Sequence, residues 1–159
     1  MLKSKSVLQS TVTMSLMMLP EHANPSGNVH GGEIMKLMDT AAGVAALRHC
    51  RTNVVTARVD ELEFHYPVKV GNLITCHARL SFVGRSSMES TVTVMVEDLF
   101  SEEPTKIALT AFFTLVSLNK EGRPQPVPAL EITTPEEQEL FEQGRQRYLS
   151  YKQRQPKAP

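Results

Sequence analysis

The pattern of apolar and polar positions divides the chain into one long helix and five strands. The helix is predicted over about Gly31 to Cys50, where the glycine-rich turn before it ends. Between Ile34 and Leu47 its only strongly polar residues are Lys36, Asp39 and Thr40. Because a surface helix would show a polar side, we expect the rest of the domain to wrap this one.

Strand patterns lie on both sides of the helix. Thr11 to Leu19 alternates weakly and Pro20 ends it, which predicts a first strand. After the helix the period changes to runs rich in β-formers, over 54–64, 73–83, 88–99 and 106–118. Short turns separate these four runs, so we expect them to form an antiparallel meander.

The C-terminal part of the chain, after the last predicted strand, has a proline-rich segment, a helix and a tail. Residues 120–152 read as an extension that begins with a proline-stiffened crossing at Arg123–Pro128. Thr134-Pro135-Glu136-Glu137 is a capping box with proline at the first helical position, and it opens an amphipathic helix. Residues 153–159 are expected to be a disordered tail.

Composition narrows the class of protein. A chain of 159 residues predicts one domain, whose body we assign to residues 8–119. The formal net charge is zero, which gives no bulk attraction to nucleic acid or membranes. Two cysteines are too few for a disulfide framework, and no leader or membrane-spanning run is seen. We therefore expect a cytoplasmic protein without nucleic-acid or membrane partners.

The order of elements predicts an α+β architecture. One strand, one long helix and four strands suit a curved antiparallel sheet around a central helix, which is the hotdog fold, here with an added C-terminal helix. A single sheet of this kind leaves an edge open, and such edges are usually paired or covered. Dimerisation is the expected solution.

Three features of the chain suggest chemistry, each with a plainer alternative. Asp39 is a carboxylate in a predicted apolar surround, which is costly unless compensated; it suits a catalyst or a paired structural residue about equally. Gly31 and Gly32 open the helix, where unsatisfied N–H groups bind anions, or they only cap and pack it. Asn24 precedes a proline and suits a turn.

The stretch Asn24-Pro25-Ser26-Gly27-Asn28-Val29-His30-Gly31-Gly32, leading to Met38-Asp39, resembles the signature of the hotdog acyl-CoA thioesterases. The similarity is to the cytosolic acyl-CoA hydrolase type, which includes the mammalian brain enzyme and bacterial single-hotdog relatives. It extends over about residues 11–151. Further matches are Arg48-His49-Cys50, residues 64–71, residues 84–89 and residues 121–128.

The resemblance implies an enzyme that converts acyl-CoA and water to a carboxylic acid and CoA, without a metal or a cofactor. It implies that Asp39 acts as general base or nucleophile and that Asn24 comes from the partner subunit. It points to Gly31, with Gly32 as its neighbour, as the oxyanion site. Members with one hotdog form a homodimer as the minimal active unit, often as a trimer of dimers, a hexamer.

The predicted substrate-binding residues lie in two loops and on one strand. His30 stands beside Gly31 and is kept as a secondary candidate. Arg85, Ser86 and Ser87 suit the phosphates of CoA, although an ordinary hairpin turn explains them equally well. Arg58 is a weaker candidate for the same role. The pairs His49-Cys50 and Cys76-His77 match no zinc spacing, so no metal site is expected.

Two other functions are compatible with a hotdog fold. A non-catalytic acyl-CoA sensor needs no buried base, so Asp39 together with Asn24 argues against it. An enoyl-CoA hydratase resembles a different pattern, with an Asp–His pair in another loop, which the sequence lacks. Release of free thiol from acyl-CoA distinguishes the thioesterase from both.

Overall fold

The computed structural model describes residues 1–155. Two long helices and seven strands follow one another in the chain, with a single 3₁₀ turn at Pro20–His22 between the second strand and the first helix. The elements are β1 (Lys5–Ser6), β2 (Val12–Met17), α1 (Gly31–Cys50), β3 (Asn53–Phe64), β4 (Leu73–Val83), β5 (Ser87–Glu97), β6 (Lys106–Leu118), β7 (Leu130–Glu131) and α2 (Pro135–Arg154).

Five of the strands form one antiparallel sheet in the order β2-β4-β5-β6-β3. Strands β4, β5 and β6 are the predicted meander, but β3 pairs with β6 and not with β4, so the prediction was wrong for this strand. The connection from Phe64 to Leu73 is long enough for this crossing. Its eight residues reach about 26 Å when extended, whereas three strand spacings need about 14 Å.

Helix α1 packs against all five strands of this sheet, which confirms the hotdog architecture. Its buried side chains recur every three or four residues, as one helical face requires. Four alanines among them let the helix approach the strands closely. This buried face consists of Ile34, Met38, Ala41, Ala42, Ala45, Ala46, His49 and Cys50.

The opposite face of α1 is open in the protomer. Met35, Asp39 and Leu47 are exposed there, so the expectation that the domain wraps the helix and buries Asp39 was wrong. A single curved sheet covers a helix from one side only. The apolar residues on the other side mark a surface that the protomer leaves uncovered.

The C-terminal extension covers the sheet face turned away from α1. Thr134 caps α2 by accepting from the Glu137 N–H at 3.1 Å, as predicted. The ring of Phe82 on β4 lies 5.0 Å from that of Phe141 and 5.2 Å from that of Tyr148. The helix continues to Arg154, two residues beyond the predicted limit, and residues 156–159 of the expected tail lie outside the described residues.

Candidate active site

The N-terminus of α1 has one N–H group free for a ligand. The His30 side chain caps the helix, because its Nδ1 accepts from the Gly32 N–H at 2.9 Å. The His30 carbonyl accepts from the Glu33 N–H at 3.0 Å. Within residues 1–155 the Gly31 N–H has no hydrogen-bond partner. Of the two predicted glycines, Gly31 is therefore the available donor, and His30 has a structural role that the sequence did not suggest.

A cleft of about 420 Å³ opens beside Gly31. The ring of Phe64, at the end of β3, forms part of its wall. A Cβ on Gly31 would lie 3.0 Å from Phe64 Cζ, so the absence of a side chain allows the ring to approach the helix end. The cleft is lined by Asn24, Asn28, Val29, Gly31, Ile34, Phe64, His65, Tyr66, Pro67 and Val68.

Asn24 reaches this cleft from the loop before the helix. Its Oδ1 accepts from the Ser26 N–H at 3.0 Å and from the Ser26 hydroxyl at 2.6 Å. These bonds are typical of an asparagine in a turn, which is the structural role that the sequence suggests. Its backbone N–H donates to the Asn28 carbonyl at 2.7 Å. These bonds hold the residue rigidly while using only the oxygen of its amide.

Asp39 lies farther along the helix and has one close partner. The Thr56 hydroxyl on β3 donates to Asp39 Oδ1 at 2.5 Å, and both residues are exposed in the protomer. Asp39 is eight residues from Gly31, which corresponds to about 12 Å along the helix axis. One protomer therefore does not bring Asp39 and Gly31 to the same carbonyl group.

Thr56 is the site residue that sequence reasoning missed. No motif or spacing links it to Asp39, because the pair forms only where the edge strand β3 passes beside α1. A threonine in a strand rich in β-formers is ordinary, so its sequence carries no separate signal.

Comparison with known proteins adds to this geometry. The sequence model of the protein family described as the thioesterase superfamily matches residues 26–99. The cytosolic acyl coenzyme A thioester hydrolase of Mus musculus is 46% identical over 134 residues, which is 84% of this chain but 35% of that protein, so the chain spans about a third of this relative's length. The uncharacterized acyl-CoA thioester hydrolase YkhA of Bacillus subtilis is 34% identical over 146 residues. The match covers 92% of this chain and 84% of that protein.

The chain belongs to the acyl-CoA thioester hydrolase family of the thioesterase superfamily.

Solved structures of this family share the whole fold. A hexameric acyl-CoA thioesterase superimposes with a TM-score of 0.89 at 30% identity, covering 96% of this chain and 97% of that one. The acyl-CoA hydrolase of Staphylococcus aureus, in complex with butyryl coenzyme A and coenzyme A, gives 0.86 at 30% identity, covering 95% and 92%. Structures of that hydrolase also exist with single alanine substitutions of an aspartate, an asparagine and a threonine.

The predicted phosphate-binding turn lies away from the Gly31 cleft. The Gly84 N–H donates to the Ser87 carbonyl at 2.9 Å and closes the β4–β5 hairpin. The Ser86 carbonyl accepts from the Ser117 N–H at 2.9 Å, and the Arg85 carbonyl accepts from the Val127 N–H in the crossing at 2.9 Å. These contacts place the turn at the sheet end near the C-terminus of α1, so the protomer does not bring it to Gly31.

Arg58 lies on the sheet face opposite α1, in contact with helix α2. Its guanidinium carbon is 3.4 Å above the centre of the Tyr151 ring, and its Nε is 2.8 Å from Asp60 Oδ2. Residues two apart in a regular strand share a face, but the β-bulge between Thr56 and Arg58 interrupts this alternation. Thr56 therefore reaches Asp39 on α1, whereas Arg58 contacts α2. Arg58 therefore joins β3 to α2 and does not line the cleft beside Gly31.

The two cysteines do not form a nucleophilic site in the protomer. Both are buried, and burial raises the pKa of the Cys76 thiol to about 12. Since the thiolate is the reactive form, this residue packs in the core. Within residues 1–155, no group of three or more His, Cys, Asp or Glu side chains is arranged to hold a metal ion. Neither helix of the described chain has the length and apolar character needed to span a bilayer.

Proposed function

We propose that this chain hydrolyses acyl-CoA to a free carboxylic acid and CoA. The observation that carries the proposal is the free Gly31 N–H at a helix N-terminus, beside a cleft, in a family named for this reaction. Such a donor stabilises the oxyanion that forms on the thioester carbonyl, and one donor is typically worth about 10²–10³ in rate.

Asp39 is the proposed general base. It takes a proton from the water that attacks the carbonyl carbon. The C–S bond then breaks as the tetrahedral oxyanion collapses, and the CoA thiolate leaves and takes the proton from Asp39. The Thr56 hydroxyl orients the carboxylate by donating a hydrogen bond to Asp39 Oδ1. In the alternative, Asp39 attacks the carbonyl itself and forms a mixed anhydride that water then hydrolyses. After a single turnover in ¹⁸O-water, label in the Asp39 carboxylate would establish the anhydride route with water attack at the Asp39 carboxyl carbon. Rapid-quench detection of an acylated Asp39 peptide tests the anhydride route when water attacks the acyl carbon instead.

A spacing match supports this set of residues. The aspartate, asparagine and threonine substituted in the Staphylococcus aureus hydrolase have the same spacings along their chain as Asp39, Asn24 and Thr56 have here. We therefore assign these three residues to one catalytic unit. Gly31 contributes the oxyanion N–H, and Gly32 supports it through the His30 cap.

The minimal active unit in this proposal is a homodimer. Asp39 is exposed and lies about 12 Å along α1 from the Gly31 of its own protomer. Since Asn24 and Gly31 line one cleft, Asn24 of the partner subunit and Gly31 of the partner subunit complete the site of this Asp39. Strand β3 is an edge of the sheet and exposes Val55 and Val59, which suits pairing with another copy. Hexameric relatives support a trimer of such dimers.

The remaining parts of the proposal concern partners and location. The substrate is acyl-CoA, no cofactor is required, and neither nucleic acid nor a membrane is a partner, in line with the zero net charge. The name of the mammalian relatives, cytosolic hydrolases, supports a cytoplasmic location.

The first experiment measures free-thiol release from acyl-CoAs of increasing chain length. Asp39→Asn and Asn24→Ala are each expected to lower kcat by about 10²-fold or more. Asp98→Asn, at an exposed aspartate in the β5–β6 loop, is the matched control and keeps full activity. Tight acyl-CoA binding without thiol release at any length would instead establish a sensor.

Mixing the two inactive variants tests the shared site. Co-expressed Asp39→Asn and Asn24→Ala chains form heterodimers in which one site has both native residues and the other has neither. We expect such mixtures to recover about a quarter of wild-type activity, since half the dimers are mixed and half their sites are intact. If both residues acted from one protomer, no mixture would regain activity.

A further inference from the structure

Phe64 is a large aromatic residue in an unusual position. Its side chain is 53% exposed, although its ring edge lies against Gly31, where a Cβ would be 3.0 Å from Cζ. It is the last residue of β3, and its backbone pairs with Leu109 of β6. The strand pairing therefore sets where the ring stands relative to the helix end.

The cleft below the ring is apolar at its base. Val29, Ile34 and Val68 line it and are buried in the core. The Val29 N–H donates to the Val68 carbonyl at 2.8 Å, so these two backbone groups of the base are already paired. The base therefore offers aliphatic surface and few hydrogen-bonding groups.

When the thioester oxygen binds at the Gly31 N–H, two parts of the substrate extend from the thioester, the pantetheine arm and the acyl arm. The pantetheine arm contains two amide groups, which lose free energy in an apolar surround unless they find hydrogen-bond partners. The acyl arm is a hydrocarbon and gains free energy from the same surface. The cleft beside Gly31 thus suits the acyl arm better than the pantetheine arm.

We propose that this cleft binds the acyl chain and that Phe64 is the specificity-determining residue that limits its length. The inference rests on the proposed thioesterase function. The ring lies against Gly31 and lines the cleft, so a chain that enters beside the carbonyl meets it. A smaller residue at position 64 lengthens the space for the chain, and a larger one shortens it.

Two variants that change this space in opposite directions test the proposal. Phe64→Ala and Phe64→Trp are assayed for kcat/KM against acyl-CoAs from acetyl to palmitoyl. Phe64→Ala is expected to raise the ratio of longer to shorter chains about tenfold, and Phe64→Trp to lower it, because each methylene in an apolar site contributes about fourfold. Phe100→Ala is the matched control, since Phe100 is 94% exposed and lies outside the cleft.

Size-exclusion chromatography establishes that each variant keeps the wild-type assembly. The proposal is overturned if both variants change kcat/KM by one common factor at every chain length, which would place the ring against the CoA arm. It is equally overturned if the two variants shift the preferred length in the same direction.

Binding measurements separate this inference from the proposed function. Non-hydrolysable thioether analogues of the same acyl-CoAs are titrated into the wild type and the two variants. If the wild type binds them but releases no thiol from any acyl-CoA, the thioesterase proposal fails. The dependence of Kd on chain length then tests Phe64 alone, with the same opposite shifts expected.

Discussion

Thr56 Oγ1 donates a hydrogen bond of 2.5 Å to Asp39 Oδ1, and this bond joins the edge strand β3 to the open face of α1. It is the one side-chain hydrogen bond to Asp39 within residues 1–155. A hydroxyl that donates to a carboxylate forms a charge-assisted bond, which is short and directional. The proposed base is therefore oriented by a strand residue and not by its own helix.

Removal of this bond should affect kcat more than KM. We expect Thr56→Val to lower kcat by about 10- to 100-fold, because a hydrogen bond to a charged group is worth about 1.5–3 kcal/mol. Thr56→Ser keeps the hydroxyl and should retain most of the activity. Steady-state kinetics of the two variants on one acyl-CoA provide the comparison. Equal losses in both would show that Thr56 acts through packing alone.

The His30 cap should support both stability and activity. We expect His30→Ala to cost about 1 kcal/mol, which lowers the Tm of a chain of this size by about 2–4 °C. His30→Asn offers another side-chain acceptor to the Gly32 N–H and should recover most of that loss. Thermal unfolding and kcat are measured on both. If His30→Ala unfolds at the wild-type temperature, the cap at 2.9 Å contributes nothing.

Stability should fall in mild acid because of His49. Its Nε2–H donates to the Pro128 carbonyl at 2.8 Å, and its buried Nδ1 has no hydrogen-bond partner among residues 1–155. Burial, with a smaller contribution from the Lys5 charge, lowers the pKa of His49 below its usual 6.5. The unfolded chain thus binds a proton before the folded chain does, so stability is complete above about pH 7 and decreases as the pH falls from 6.5 towards the folded pKa.

Urea unfolding of wild type and His49→Gln between pH 8 and pH 5 measures this contribution. One proton gives a slope of at most about 1.4 kcal/mol per pH unit. The Gln variant is less stable at pH 8 and should show a smaller slope below pH 6.5. Identical slopes in the two proteins would assign the acid sensitivity to other groups.

The docking of α2 should depend on Arg147. Glu89 is 3% exposed and accepts from Arg147 Nε at 3.0 Å, from Arg147 Nη2 at 2.8 Å and from the Ser81 hydroxyl at 2.7 Å. Arg147→Ala leaves that carboxylate buried without its cation, which we expect to cost about 3–5 kcal/mol.

Arg145→Ala is the matched control for this prediction. Arg145 pairs with Glu142 one turn away on the exposed side of the same helix, where such pairs contribute about 0–1 kcal/mol. Urea midpoints of the two variants are compared with that of the wild type. Similar midpoints for both variants would mean that the rings around Phe82 hold α2 without help from the ion pair.

Much of the local structure was predictable. Helix α1 begins at Gly31 and ends at Cys50 as predicted, and β4 and β6 also have their predicted bounds. Turn residues, caps and the apolar period are local signals, so they locate the ends of elements well. Motif residues from the family resemblance located Asn24, Gly31 and Asp39, but their roles remain predictions for the experiments above.

The sequence by itself determined where the helix and the strands lie along the chain. It also determined which positions carry the amide, glycine and carboxylate residues of the candidate site. Tertiary structure decided that β3 pairs with β6, that Asp39 is exposed and bonded to Thr56, and that Arg58 faces α2. The physical reason is that the hydrophobic periodicity shows which face of an element is apolar. It does not show which other element packs against that face. Pairing partners far apart in sequence are selected by long-range contacts, and these exist only in the folded chain.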